Sequence, residues 1–321
     1  MRSVLLIFLL LVLPLQVAFS ETLTLAHRYP PENTIAEIME TFAQDVAEQG
    51  SITIKVIGNS AFGRSREYPD LLRFGKLDLA VVSQNDLERI PVLRVFELPF
   101  LIRDRAMFMK VLDGPARKLL DEAFATEGLQ LLAVLDGSFR LIGLTNRSFD
   151  TLFDLKGIKM RTIDHSSRAL FEGVGVSSVT LPFGELPIAL DRGMIDAYET
   201  TFEGVNQGKL GAISRQILLT KHLYEPQFLV ASEARLRQLG SHNVEVLRAI
   251  ANKIERLSFE QGEKDEQRFL AEVREMGVEV RETQAIENDM QWLIESSRHI
   301  YDEYATEVKD GAELVKYFLN Q

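Results

Sequence analysis

The side chains of this 321-residue sequence best placed to do chemistry are arginines. Arg161 stands near the end of the segment GIKMRTI, residues 157–163. A guanidinium held at the rim of a strand there could grip a carboxylate through two parallel hydrogen bonds, a geometry that the point charge of lysine does not reproduce. The bland reading of the same residue is an exposed arginine on a loop. Arg140, in Gly137-Ser138-Phe139-Arg140, poses a similar choice. It is either a second contact to an anion or an internal brace that pairs with an acidic residue and holds Arg161 in place. Other chemistries lack their residues. The five histidines, His27, His165, His222, His242 and His299, show neither HxxxH nor HExxH spacing, so no metal site is expected. With no cysteine there is no thiol nucleophile, no disulfide scaffold and no thiolate zinc site. Neither a GxSxG elbow nor a P-loop occurs. Carboxylate pairs such as Asp191 with Asp196, or Glu199 with Glu203, are expected by chance among 47 acidic residues and read as solvated faces. Binding, without turnover and without a cofactor, is the chemistry these residues favour.

Something must position the arginines. A chain of this length holds about two domains, and 46% hydrophobic with 26% charged residues is the composition of a soluble globular protein. The formal charge of −11 argues against a nucleic-acid partner, which requires basic surface, without forbidding a local cationic pocket. Leu23 to Ala26 reads as a strand, and Asn33 as the cap of a helix whose apolar positions run Ile35, Ile38, Met39, Phe42, Ala43, Val46 and Ala47, closed by Gly50. Ile52 to Ile57 is a strand, Arg66 to Phe74 a helix and Leu77 to Val82 a buried strand. This order gives crossovers and a mainly parallel sheet. The pattern restarts with a strand over 157–163, a helix from Asp164 to Phe171, a strand over 176–181, a helix over 184–191 and a strand over 194–198. Leu129 to Val134 and Phe139 to Leu144 are strands that could cross between two sheets, Phe228 to Ala231 is one more strand, and residues 243–275 and 287–306 are helical. Two lobes joined by several crossings would hinge. Ligands in open α/β sheets sit beyond the carboxyl ends of the strands. That rule selects Arg28, Ser83 and Gln84 in the first half, and Arg161, Phe183 and Thr200 in the second.

Residues 1–20 are of another kind. Arg2 precedes the apolar run VLLIFLLLVL, Pro14 breaks it, and Ala18-Phe19-Ser20 puts small residues at −3 and −1 of a cut before Glu21. The run falls short of the ~20 residues of a membrane span, so a cleavable export signal and a periplasmic mature protein are expected. Removing Arg2 with it takes the net charge from −11 to −12.

The ordered pieces LTLAH, FAQDVAEQGSITIKVIGNSAFG, GKLDLAVVS, FELPFLIRD, GSFR, DLKGIKMR, LPFGELPIALDRGMIDAYE and LTKHLYEP span nearly all of the mature chain. In that order and spacing the sequence resembles the DctP-type solute-binding subunit of tripartite ATP-independent periplasmic (TRAP) transporters. The resemblance implies a two-lobed α/β periplasmic binding protein fold, each lobe a mainly parallel sheet flanked by helices, with a ligand cleft between them. Residues 21–138 with 226–265 then form lobe I, and 139–225 with 266–321 form lobe II. It also implies a small organic acid as ligand and integral membrane TRAP subunits as partners. The charged C-terminal helices are either a solvated face or a dimer contact; read as a solvated face, they leave a monomer as the expectation. Arg161 falls where relatives hold the ligand carboxylate and Arg140 where they place a supporting contact. Arg28, Ser65, Ser83 and Phe183 fall on positions that line the pocket in similar proteins. One departure is Thr200, where many relatives carry an asparagine that contacts the ligand. A hydroxyl offers one donor where the amide offers two and a carbonyl. Two other functions share these residues: a binding protein serving an ATP-driven importer or a sensor, and a periplasmic hydrolase using two carboxylates.

Overall fold

A computed structural model describes residues 21–49, 52–282 and 287–320. The expected export signal and the Gly50 helix stop lie outside the described residues. The chain opens with β1 (Glu21–Ala26), α1 (Thr34–Glu48), β2 (Ile52–Ile57), α2 (Tyr68–Arg73) and β3 (Leu79–Ser83). Helix α1 forms where expected: the Asn33 side chain accepts from the Ile35 N–H at 2.8 Å, and Ile35, Ile38, Met39, Phe42, Ala43 and Val46 are buried along one face. After β3 come α3 (Arg105–Leu112), α4 (Pro115–Thr126) and β4 (Leu129–Leu135). The first sheet has the order β2-β1-β3-β10-β4, with β10 (Gln227–Ser232) antiparallel to both neighbours. Its pleat divides two layers: Leu79 and Val81 pack on the α1 side, while Ala80 and Val82 join the core on the opposite face.

The second lobe is built from β5 (Arg140–Leu144), β6 (Lys159–Thr162), α5 (His165–Gly173), β7 (Ser177–Thr180), α6 (Leu186–Asp191), β8 (Ala197–Thr201), α7 (Phe202–Gln207) and β9 (Gln216–Leu218). With β11 (Glu279–Arg281) they form a sheet of order β11-β9-β5-β8-β6-β7 in which β5 runs against both of its neighbours. Each sheet is thus mainly parallel with one reversed strand, and each reversed strand is the first to follow a crossing from the other lobe. The two crossings lie side by side. Phe139 bridges to Tyr224, the Arg140 N–H donates to the Leu223 carbonyl at 2.8 Å, and the Glu225 N–H donates to the Ser138 carbonyl at 3.1 Å. Gly137 is required there, since a Cβ would stand 1.7 Å from the Glu225 carbonyl oxygen.

A third connection is α9 (Ser241–Glu275), which follows α8 (Glu233–Leu239) and is 35 residues long. That is about 52 Å at 1.5 Å per residue, enough to run along both lobes. Leu247, Ile250, Ala251 and Ile254 pack into the α1 layer of the first lobe, while Phe269 meets Phe202 of α7 at 4.9 Å. Residues 265 and 266, where the sequence places the last lobe boundary, fall inside this helix. The chain ends with α10 (Glu287–Ser296), α11 (Arg298–Glu307) and α12 (Gly311–Leu319). Although α12 lies in the stretch read as lobe II, Phe318 packs on Phe96 and Phe108 of the first lobe, with ring centroids 6.2 and 6.1 Å apart. Among the described residues no helix is long and apolar enough to cross a membrane.

Candidate functional site

A cavity of about 410 Å³ lies where the strand ends of the two lobes face each other. Arg28 and Ser83 reach its wall from the first lobe, and Arg140, Arg161, Phe183 and Thr200 from the second.

Arg161 is the third residue of β6, held in register between β7 and β8 opposite Val179 and Tyr198. It is 2% exposed, which removes the reading as a loop arginine. Its Nε donates to the Leu181 carbonyl at 3.3 Å and its Nη1 to the Glu199 carbonyl at 3.2 Å. Among the described residues no carboxylate pairs with it, and its Nη2 has no protein acceptor. Burial pulls its pKa below the ordinary arginine value; the Glu199 carboxylate opposes this, and the Arg140 charge reinforces it. A buried cation hydrogen-bonded only to carbonyls is incompletely compensated, and an incoming carboxylate would complete it.

Arg140 resolves towards the brace. Its Nε donates to the Glu199 carboxylate, its Nη1 to the Glu225 carboxylate and its Nη2 to the Glu199 carbonyl at 3.2 Å. The Glu199 carbonyl therefore accepts from both arginines and fixes the distance between them. Burial by itself would raise the Glu199 carboxyl; Arg140 and His222, whose Nε2 is 3.6 Å away, bring it down to about 2. The Ile163 N–H donates to the other Glu199 oxygen at 2.7 Å. Glu199 is fully buried in this network, which leaves it no role as an acid or base.

Arg28 stands at the end of β1. Its Nη1 lies 3.3 Å from Ser83 Oγ and 3.5 Å from Asp86 Oδ2; its Nη2 lies 3.2 Å from Gln227 Oε1 and 3.9 Å from Glu225 Oε1. The Ser83 hydroxyl in turn donates to Asp86 Oδ2 at 2.9 Å. Phe183 is half-buried, packed against the core while lining the cavity, so it is wall and core at once. Thr200 is buried on the wall, and among the described residues nothing hydrogen-bonds its hydroxyl. The chain makes room for it with Gly204, whose Cβ would stand 2.1 Å from Thr200 Oγ1.

Ser65 and Gln84 are not on the wall, contrary to the sequence reading. Ser65 opens a single 3₁₀ turn and donates to Asp86 Oδ1 at 2.9 Å, so it steadies a wall residue from behind. Ser83 takes the cavity side at the end of β3, and Gln84, next along the chain, is buried off the wall. Conversely, the sequence reading does not select Asp86, Gln227 or Glu225, all of which line the cavity. Asp86 follows the carboxyl end of β3 by three residues, where the same rule could have found it; Gln227 opens β10 at its amino end, which the rule does not cover, and Glu225 falls within LTKHLYEP on a crossing segment.

Two α/β lobes joined by several crossings, with a buried cation in the cavity between them that has no carboxylate partner among the described residues, define a solute-binding protein. Residues 25–307 match the DctP family, "Bacterial extracellular solute-binding protein, family 7", and the chain belongs to that family. It is 27% identical over 246 residues to a solute-binding protein of Verminephrobacter eiseniae, covering 75% of this chain and 73% of that one. It is 26% identical over 271 residues to the 2,3-diketo-L-gulonate-binding periplasmic protein YiaO of Escherichia coli, covering 84% and 81%. The crystal structure of a TRAP periplasmic solute-binding protein from Chromohalobacter salexigens with bound D-glucuronate superposes with a TM-score of 0.85 at 22% identity, covering 93% of this chain and 99% of that one. The chain is thus a non-enzymatic solute-binding protein with the fold expected for one.

Proposed function

We propose that this protein captures a small organic acid in the periplasm and delivers it to the integral membrane subunits of an ion-gradient-driven TRAP transporter. The observation that carries the reading is Arg161, a guanidinium in the cavity wall whose partners among the described residues are carbonyls only. It takes the ligand carboxylate, Arg140 holds it in place, and Arg28, Ser83, Phe183 and Thr200 shape the rest of the site. The ligands of these two relatives, a diketogulonate and a glucuronate, are hydroxylated acids and support the same ligand class. Export follows from residues 1–20, cut after Ser20.

A mature chain of net charge −12 offers an anion no long-range attraction, so local cations must hold it. In the cavity the low dielectric strengthens the ion pair while desolvation opposes it. A ligand that touches both lobes favours the closed state and shifts the population towards it by hinge bending. The test is a panel of organic acids added to the purified mature protein, read by thermal unfolding. A ligand at a hundred times its Kd stabilises by about 2.7 kcal/mol, a rise of several degrees. If no acid at millimolar concentration raises the Tm, the reading fails.

A further inference from the structure

The charges on the cavity wall do more than hold one carboxylate. Five arginines line it, Arg28, Arg66, Arg140, Arg161 and Arg268, with six carboxylates, Asp86, Asp136, Glu203, Glu225, Asp265 and Glu266, of which Asp136 and Glu266 are matched from behind the wall by Arg105 and Lys221. Their pairing is uneven. Arg140 is matched by Glu199 and Glu225, Arg28 by Asp86 and Glu225, and Arg268 by Asp265 at 2.8 Å. Glu225 is the shared member: one oxygen meets Arg140 of the second lobe, and the other lies 3.9 Å from Arg28 of the first. Its side chain is 11% exposed, so solvent screens it little.

Resting on the carboxylate-receptor reading, we propose that Glu225 sets the charge selectivity of the site: the cavity takes acids with a single carboxylate and a hydroxylated body, and rejects dicarboxylates of the same length. One ligand carboxylate completes Arg161. A second finds buried Arg140, half-buried Arg28 and exposed Arg268 already matched, and it meets Glu225 besides. Arg66 is the other wall arginine without an ion pair among the described residues, but it is exposed, where such a pair is weak. Hydroxyls are received differently. The amides of Asn33, Asn206 and Gln207 and the carboxylate of Glu203 line the same cavity and can donate or accept without a charge from the ligand. Specificity then comes from a repulsive element as much as from an attractive one.

The experiment is calorimetric titration of the full mature protein with matched pairs of acids differing only at the far carbon: threonate and tartrate, gluconate and glucarate, galactonate and galactarate. In the wild type the pair that binds best should favour the monoacid at least tenfold. In Glu225→Gln, which keeps the shape and removes the charge, that ratio should fall at least tenfold through tighter binding of the diacid. Wild-type preference for the diacid overturns the inference while leaving the receptor reading intact, and so does an unchanged ratio in a folded variant. Binding of neither member of any pair overturns this ligand class. If the wider acid panel also fails, the receptor reading falls with it. The wild-type ratio is decisive even if Glu225→Gln does not fold.

Discussion

Replacing Arg161 with alanine removes the one buried guanidinium on the cavity wall that, among the described residues, lacks a carboxylate, and the consequences can be sized separately for binding and for folding. For binding, truncating one partner of a buried, hydrogen-bonded charge pair costs about 2–5 kcal/mol. At about 1.4 kcal/mol per factor of ten, the middle of that range is roughly 300-fold in Kd. For folding, two hydrogen bonds from a charged donor to carbonyls disappear, together worth about 3–6 kcal/mol. Against that loss, a desolvated cation with no counter-charge is also removed, a relief of similar size. Stability without ligand should therefore move by no more than about 1 kcal/mol, or roughly 2–4 °C in Tm. Titration calorimetry with an acid found by the panel, together with an unfolding scan of the free variant, separates the two effects. Arg161→Lys should recover little of the affinity, because a point charge cannot supply two parallel bonds. A folded Arg161→Ala variant that binds within threefold of wild type would refute the assigned role, and a variant that fails to fold would refute the balance of terms.

Two further predictions concern pH. Glu199 is held at about 2 in the folded protein against an ordinary value of 4.5, so its contribution is fully present above pH 4.5 and is lost as pH falls towards 2. Chemical denaturation across that window should show wild type losing on the order of 3 kcal/mol more than Glu199→Gln. Glu97 behaves oppositely: burial and the nearby Asp164 carboxylate of the second lobe push it up to about 8. Its folded form keeps a proton that the unfolded chain has released, so stability declines between pH 4.5 and 8. Glu97→Gln should accordingly raise the Tm more at pH 8 than at pH 4.5, as read by a pH series of thermal scans, and an equal effect at both would count against this account.

Much of the architecture was legible along the chain because local physics encodes it. The apolar stripe from Ile35 to Val46 and the Asn33 cap define α1, and Asp164 caps α5 through the Ser167 N–H. Strand β8 begins and ends about three residues later than its apolar pattern suggests, since Glu199, Thr200 and Thr201 are polar yet buried at the site. No local pattern marks strands β9 and β11: each is three residues long and takes its partner from far along the chain. The same holds for α12, whose docking on Phe96 and Phe108 depends on partners some two hundred residues away.

By itself the sequence determined two runs of alternating strands and helices with arginines near strand ends, because periodicity, caps and crossover lengths are local properties; the common cleft entered through the family resemblance. Only the tertiary structure decided which arginine is available. Arg140 opens β5 and Arg161 stands near the end of β6, with β8 between the two strands, yet among the described residues one is enclosed by Glu199 and Glu225 while the other meets carbonyls alone. The reason is that electrostatic pairing acts over a few ångströms in space between groups such as Arg140 and Glu225, 85 residues apart in the chain, and no pattern along the chain records that distance.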